Sequence, residues 1–168
     1  MDSRFQDKQR GEFAEDVVQV NRVSKKTKGG NKVGFSALVV VGDKKGRVGV
    51  GLGKAPDVSS AIKKGLVIGK KNLIEVPIIK GTLPFQVFIK LGAARVMLKP
   101  APLGSGIIAG GAVRSVVAAA GIQNISSKVL GSKNKASNVY AAMEALRTLA
   151  ARYKRQGEIK EKIKNEFK

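Results

Sequence analysis

The sequence predicts an α+β fold of two small domains, a β-β-β-α unit followed by a β-β-α-β-α unit. Three observations carry that prediction. Apolar residues alternate with period two in two separate blocks, and each block is followed by an apolar stripe of helical period. Gly81-Thr82-Leu83-Pro84 separates the blocks with the residues that punctuate chains. Finally, 168 residues that are 43% hydrophobic suffice for one ordinary core or two small ones, with no Cys to staple them.

Residues 1–10 read as a flexible N-terminal arm and residues 11–80 as the first domain. Alternation begins near Val17, with Val18 and Val20 on one strand face and Gln19 and Asn21 on the other. The segment Ser24 to Lys32 reads as a basic loop on a flexible hairpin tip, and its Gly29-Gly30 pair is free to take positive φ. Phe35 to Val41 is apolar enough for a central strand, and Gly42 to Gly46 turns it back. In the next strand Val48, Val50 and Leu52 point one way. Gly49, Gly51 and Gly53 leave the opposite face bare, so that another backbone can approach closely. Pro56-Asp57 starts a helix, with proline preset in φ and the carboxylate at the positive end of the helix dipole. Val58, Ala61, Ile62, Gly65, Leu66 and Gly69 form its buried stripe, and lysines 63/70 and 64/71 face outward. Ile74 to Ile79 is extended again and closes the unit.

Residues 84–156 form the second domain. Phe85, Val87 and Ile89 alternate with Gln86, Phe88 and Lys90, and the same pattern in Arg95 to Lys99 completes an antiparallel pair. Pro100 to Gly106 is a turn. A short helix from Gly110 or Gly111 buries Val113, Val116, Val117 and Ala120 and ends at Gly121. Ile122 to Leu130 is a strand. The last helix runs from about Ser137 to Tyr153 over Val139, Ala142, Met143, Leu146, Leu149 and Ala150. Residues 157–168 read as a charged, flexible tail.

Charge narrows the function. There are 32 Lys+Arg against 12 Asp+Glu, a formal net charge of +20, and no His. Between Glu75 and Glu144 stand eight cations and no carboxylate. So positive a chain repels itself unless a polyanion takes up the charge, and nucleic acid does so with release of counterions. General acid–base work and metal capture draw on His, Cys and paired carboxylates. The pattern therefore points to binding, with no catalytic residue, no metal and no cofactor. The polar N-terminus is no secretory signal and no apolar run reaches a membrane span, which predicts an intracellular protein with no membrane partner.

Glycine clusters raise the question of nucleotides. Gly65 to Lys71 is one residue short of a P-loop and lacks its hydroxyl; Gly49, Gly51 and Gly53 do not have the dinucleotide spacing. Both are better read as turns and close packing. Pro102 to Ala112 echoes the phosphate-cradling loop of small-molecule kinases of the galactokinase–mevalonate kinase type, without the carboxylate that chemistry needs for Mg²⁺. The basic loop, by itself a solvated charged loop, gains weight as an RNA contact from the +20 background. With only 5% aromatics, shape and phosphate contacts to double-helical RNA suit the chain better than stacking. A small-molecule kinase on the C-terminal fold and a free-standing double-stranded-RNA chaperone are the alternatives from other classes.

Several ordered motifs carry a resemblance. Val20-Asn21-Arg22-Val23-Ser24-Lys25, Lys28-Gly29-Gly30, Val40 to Asp43, Gly46 to Gly49 and Gly51 to Ala55 closely resemble the bacterial small-subunit ribosomal protein S-five (S5) family. So do Lys99 to Pro102, Gly104 to Ala112, Arg114 and Gly131-Ser132 with Asn134. The resemblance spans about Gly11 to Tyr153. It implies a double-stranded-RNA-binding-domain-like first half lacking that domain's first helix. It implies a second half shared with the kinases above and with elongation-factor G. It further implies a cytoplasmic home in the small subunit, with rRNA as ligand and ribosomal proteins S-four and S-eight as neighbours. The mRNA entrance channel and the spectinomycin site at the basic loop would lie close by. The expected rRNA contacts are Arg22, Ser24, Lys25, Lys28, Gly29, Gly30 and Lys32, then Arg47, Lys54 and Arg114. Gly104, Ser105 and Gly106 are expected to face S-four.

Overall fold

A computed structural model describes residues 13–166, with side chains described to residue 157. Its first half contains β1 (Ala14–Thr27), β2 (Gly30–Gly42), β3 (Arg47–Ala55), α1 (Val58–Lys71) and a short β4 (Ile74–Glu75). The strands form an antiparallel sheet in the order β1-β2-β3-β4. Strand β2 is central, as its unbroken apolar run requires. Its side chains alternate between two clusters: Ala37, Val39 and Val41 lie under α1, while Leu38 and Val40 face the other way.

Asp57 caps α1, its carboxylate accepting from the Ser60 backbone N–H at 3.1 Å. The helix settles on the bare face of β3. A Cβ added at Gly49, Gly51 or Gly53 would run into the carbonyl oxygens of Gly69, Gly65 and Ala61 respectively. The backbone that approaches the glycine face is thus the chain's own helix, and glycines and an alanine line both sides of the contact.

The second half contains β5 (Val87–Leu91), β6 (Ala94–Pro100), β7 (Ile107–Ile108), α2 (Gly111–Ala120), β8 (Ile125–Val129) and α3 (Lys135–Glu166). The sheet order is β5-β6-β8-β7, antiparallel except for the parallel β7–β8 pair. Gly121, at φ 87°, ends α2 as its position predicts.

Four local expectations need correction. First, the basic loop is mostly strand. The β1–β2 ladder runs out to Thr27↔Gly30, leaving only Lys28-Gly29 at the tip, and of the glycine pair only Gly30 has positive φ (122°). Backbone pairing does not need apolar side chains, so polarity alone concealed the strand. Second, β7 lies in the stretch after the Gly104–Gly106 turn, too short to show a period. Third, β8 begins at Ile125 because the backbone N–H groups of Gln123 and Asn124 are spent on the Gly81 carbonyl, at 2.9 and 3.0 Å. Fourth, α3 runs on through Gly157 to Glu166, where a tail was expected. A mid-helix glycine costs about 1 kcal/mol, and the flanking Glu, Lys and Ile residues are adequate helix formers. The N-terminal arm lies outside the described residues.

The junction is not a loose linker. Lys80 (φ 49°) and Gly81 (φ 77°) make a tight turn closed by two hydrogen bonds between Ile79 and Thr82. The larger core crosses it, joining Leu38, Val40, Val48 and Val76 to Val96, Val117, Ile125 and Leu146. The β2–β3 turn also grips the end of α2: the N–H groups of Lys44 and Gly46 donate to the carbonyls of Ala119 and Ala120 at 3.0 and 2.9 Å. Two sheet-and-helix units therefore share one core.

Candidate nucleic-acid interface

The end of the β1–β2 hairpin projects beyond both α1 and the shared core, and every residue from Val20 to Lys32 is exposed. The ladder fixes how its cations stand. Lys25 and Lys32 are direct cross-strand partners, Lys26 opposes Asn31, and Arg22 opposes Phe35. Like charges placed opposite one another repel. Among the described residues no carboxylate pairs with them; the ion pairs there are Arg47–Asp43, Lys70–Glu15 and Arg147–Glu144. An open cleft of about 370 Å³ at the hairpin base is lined by Ser24, Lys25, Lys32, Phe35 and Lys54 among others. Lys54 also borders a shallow patch on the outer side of α1 with Lys63, Lys64, Val67 and Ile68. A basic path thus leads from the hairpin across the end of β3 to α1. It supplies cations and no proton-transfer group.

Of the expected contacts, Ser24, Lys25, Lys32 and Lys54 come together at this cleft, and Arg22, Lys28, Gly29 and Gly30 belong to the same projecting hairpin. Arg47 does not join them. It lies at the other end of β3, roughly 20 Å along the strand from Lys54. There its Nε donates to Asp43 Oδ2 at 2.7 Å, and its guanidinium lies 5.5 Å from the Phe13 ring centroid. Burial pushes the Asp43 carboxyl up, but hydrogen bonds from the Arg47 side chain and from the Arg47 and Lys45 backbone outweigh it and hold the group below its ordinary 3.8. Arg47 thus helps brace the turn that grips α2. Arg114 is exposed in the first turn of α2, in the second unit and outside the cleft.

Gly104, Ser105 and Gly106 form a turn, exposed at Gly104 and half-buried at Ser105 and Gly106, braced by Asn124, whose Oδ1 accepts from the Gly104 and Gly106 N–H groups at 3.0 and 3.2 Å. The expectation that this turn faces S-four would explain the two glycines by the close approach of a neighbour. Within this chain the reason is backbone conformation: φ is 90° and 66°, and an added Cβ would meet nothing within 4 Å at either position. Three participants escaped the sequence reading. Lys63 and Lys64 looked like an ordinary solvated helix face. Asn124, 5% exposed, left one faint signal, an amide in the Gln123-Asn124 pair between apolar Ile122 and Ile125.

Among the described residues no group of three or more His, Cys, Asp or Glu could hold a metal, and no helix is long and apolar enough to cross a membrane. Residues 13–77 match the family model "Ribosomal protein S5, N-terminal domain", and residues 89–158 match "Ribosomal protein S5, C-terminal domain". The chain belongs to the ribosomal protein S5 family. Curated relatives called small ribosomal subunit protein uS5 agree. That of Thermosynechococcus vestitus is 53% identical over 139 residues, covering 82% of this chain and 80% of the relative. That of Chloroflexus aurantiacus is 53% identical over 135 residues (80% and 76%), and that of Thermotoga maritima 49% over 138 (82% and 78%). The S5 family is one of structural ribosomal proteins, not enzymes, and the α+β, two-unit architecture is the one its paired domains require.

Proposed function

We propose that this S5 family member is a cytoplasmic constituent of the small ribosomal subunit that grips small-subunit rRNA through the β1–β2 hairpin and the adjoining ends of β3 and α1. The observation that carries this is the Lys25–Lys32 cross-strand pair, set with Lys54 around one cleft and left without a carboxylate. Such a pair is mildly repulsive in the free protein and becomes favourable when phosphates lie between the cations. Lys28 at the tip and the backbone of Gly29 and Gly30 reach further, where side chains would obstruct an RNA backbone. Arg114 serves as a secondary contact.

In this reading the protein supports subunit assembly and influences decoding accuracy beside the mRNA entrance channel. The hairpin borders the spectinomycin site, the Gly104–Gly106 turn faces ribosomal protein S-four, and S-eight is the second protein neighbour. Sucrose-gradient sedimentation tests residence: the protein should travel with small subunits and be scarce in free fractions. Binding of purified protein to small-subunit rRNA should weaken steeply with salt, by a slope of about 0.9 for each phosphate contact on duplex. Lys32→Glu should lose affinity and flatten that slope, yet melt no lower than the parent, because the new carboxylate faces Lys25. An unchanged salt slope would remove the hairpin from the interface.

A further inference from the structure

The outer face of the second sheet is the broad surface that the reading above leaves unused. Helix α3 packs on the inner face over β5 and β6 and α2 meets it at β7, and Val87, Ile89, Val96, Leu98 and Ile125 on that face belong to the core. Pairing defines the outer face row by row. Phe88 opposes Met97, which opposes Lys128; Lys90 opposes Arg95 in the next row; Lys99 follows Met97 two residues along β6 and shares its face. Phe88 is 52% exposed, in a chain with few aromatic side chains to spare. Around it stand Lys90, Arg95, Lys99 and Lys128, all exposed. None of the four takes part in the ion pairs of the described residues, and no carboxylate occurs between Glu75 and Glu144.

Two features of this face constrain its partner. The Lys90–Arg95 pair, like Lys25–Lys32, sets like charges opposite each other and calls for an anion. The apolar Phe88–Met97 pair beside it calls for a flat, uncharged surface. An RNA duplex offers phosphates but keeps its base faces stacked away. A single strand offers both, since every base has a face that stacks on an aromatic ring while the flanking phosphates meet cations. A four-stranded sheet is flat enough to carry several nucleotides.

We infer that the outer face of the second sheet is a platform for single-stranded RNA, with Phe88 stacking an unpaired base and Lys90, Arg95, Lys99 and Lys128 holding the adjacent phosphates. In the cell that strand would come from the rRNA of the reading above, and to that extent the inference rests on it; the surface and the recognition chemistry are separate from the hairpin's.

The test uses the purified full chain and fluorescence anisotropy with two probes, a labelled oligouridine of about ten nucleotides and a labelled RNA hairpin stem. Phe88→Ala should weaken oligouridine binding about tenfold and leave the stem unaffected, and Phe88→Tyr should retain parental affinity because its ring still stacks. Lys25→Ala combined with Lys32→Ala should do the reverse. Melting temperatures equal to the parent's show that Phe88→Ala is folded, as its exposure leads one to expect. Oligouridine binding unchanged by Phe88→Ala overturns the platform. So does an equal loss in the Ala and Tyr variants. Ultraviolet cross-linking of assembled small subunits should join Phe88 to RNA; a ribosomal protein found against this face instead also overturns it. Stem binding unaffected by the lysine double variant would count against the hairpin reading alone.

Discussion

The two helix–sheet contacts of this protein achieve the same layering by opposite means. On the first sheet, α1 meets β3 backbone to backbone, with Gly49, Gly51 and Gly53 against Gly69, Gly65 and Ala61. On the second, α3 lies over β5 and β6 with α2 beside it, and Val113, Val116, Val117, Leu146 and Leu149 of these two helices are all fully buried in the core. Along β3 the first contact has no volume to lose and no room to gain; the second is filled by methyl groups and suffers when they are removed. Sensitivity to mutation should therefore reverse between the halves.

The largest effect belongs to additions at the glycine face. Gly51→Ala places a methyl group on the Gly65 carbonyl and near the Gly69 backbone nitrogen, neither of which is the movable end of a side chain. It should cost more than about 3 kcal/mol, beyond ordinary overpacking, because helix or strand must shift as a unit. Leu146→Ala should cost about 3 kcal/mol through the cavity it leaves. Urea unfolding of both variants decides the comparison, and a Gly51→Ala midpoint near the parent's would end it.

Next in size is Gly104→Arg. Space is open there, but φ of 90° strains any L side chain, which costs about 1–2 kcal/mol. The Asn124 brace and the core beneath should survive, so the variant should still fold and assemble. On the proposed S-four contact, added bulk and charge should raise stop-codon readthrough modestly, a coupling of ~1–3 kcal/mol. Normal subunit levels with unchanged readthrough would leave the turn a purely structural feature.

Asp43 tests the joint between the halves. Its folded-state pKa is depressed, so its stabilisation is present above the unfolded value of about 3.9 and is lost as pH falls through the folded one. Melting temperature should therefore drop on acidification below about pH 4, and Asp43→Asn should flatten that limb while lowering the neutral-pH value. An acid limb identical in parent and variant would mean that another carboxylate controls it. The smallest effect is the mirror of the first: Gly111→Ala, at the first residue of α2 with nothing within 4 Å of the added Cβ, should stabilise by about 0.5 kcal/mol.

Much of this was legible because it is local. Alternation marked β2, β3, β5 and β6; Asp57 and Gly121 marked helix ends; the bare face of β3 announced a close backbone contact. What escaped was decided elsewhere. Ser24 to Thr27 and Gly30 to Lys32 carry no strand signal of their own and are strands because each supplies the other's hydrogen bonds. Asn124 is a brace because the Gly104–Gly106 turn lies over it, 18 to 20 residues away in sequence.

The same division holds for the charged surfaces. An excess of twenty positive charges, a carboxylate-free stretch from Glu75 to Glu144 and the absence of His and Cys are properties of composition, and by themselves they point to a polyanionic ligand. Which cations act together was a matter of register and topology. Pairing set Lys25 against Lys32 and Lys90 against Arg95; the end of β3 brought Lys54 to the hairpin; and its start committed Arg47 to Asp43 and Phe13. Net charge is a sum and can be read from a list of residues, whereas a binding surface depends on distances between side chains far apart in sequence, and only the folded chain sets those.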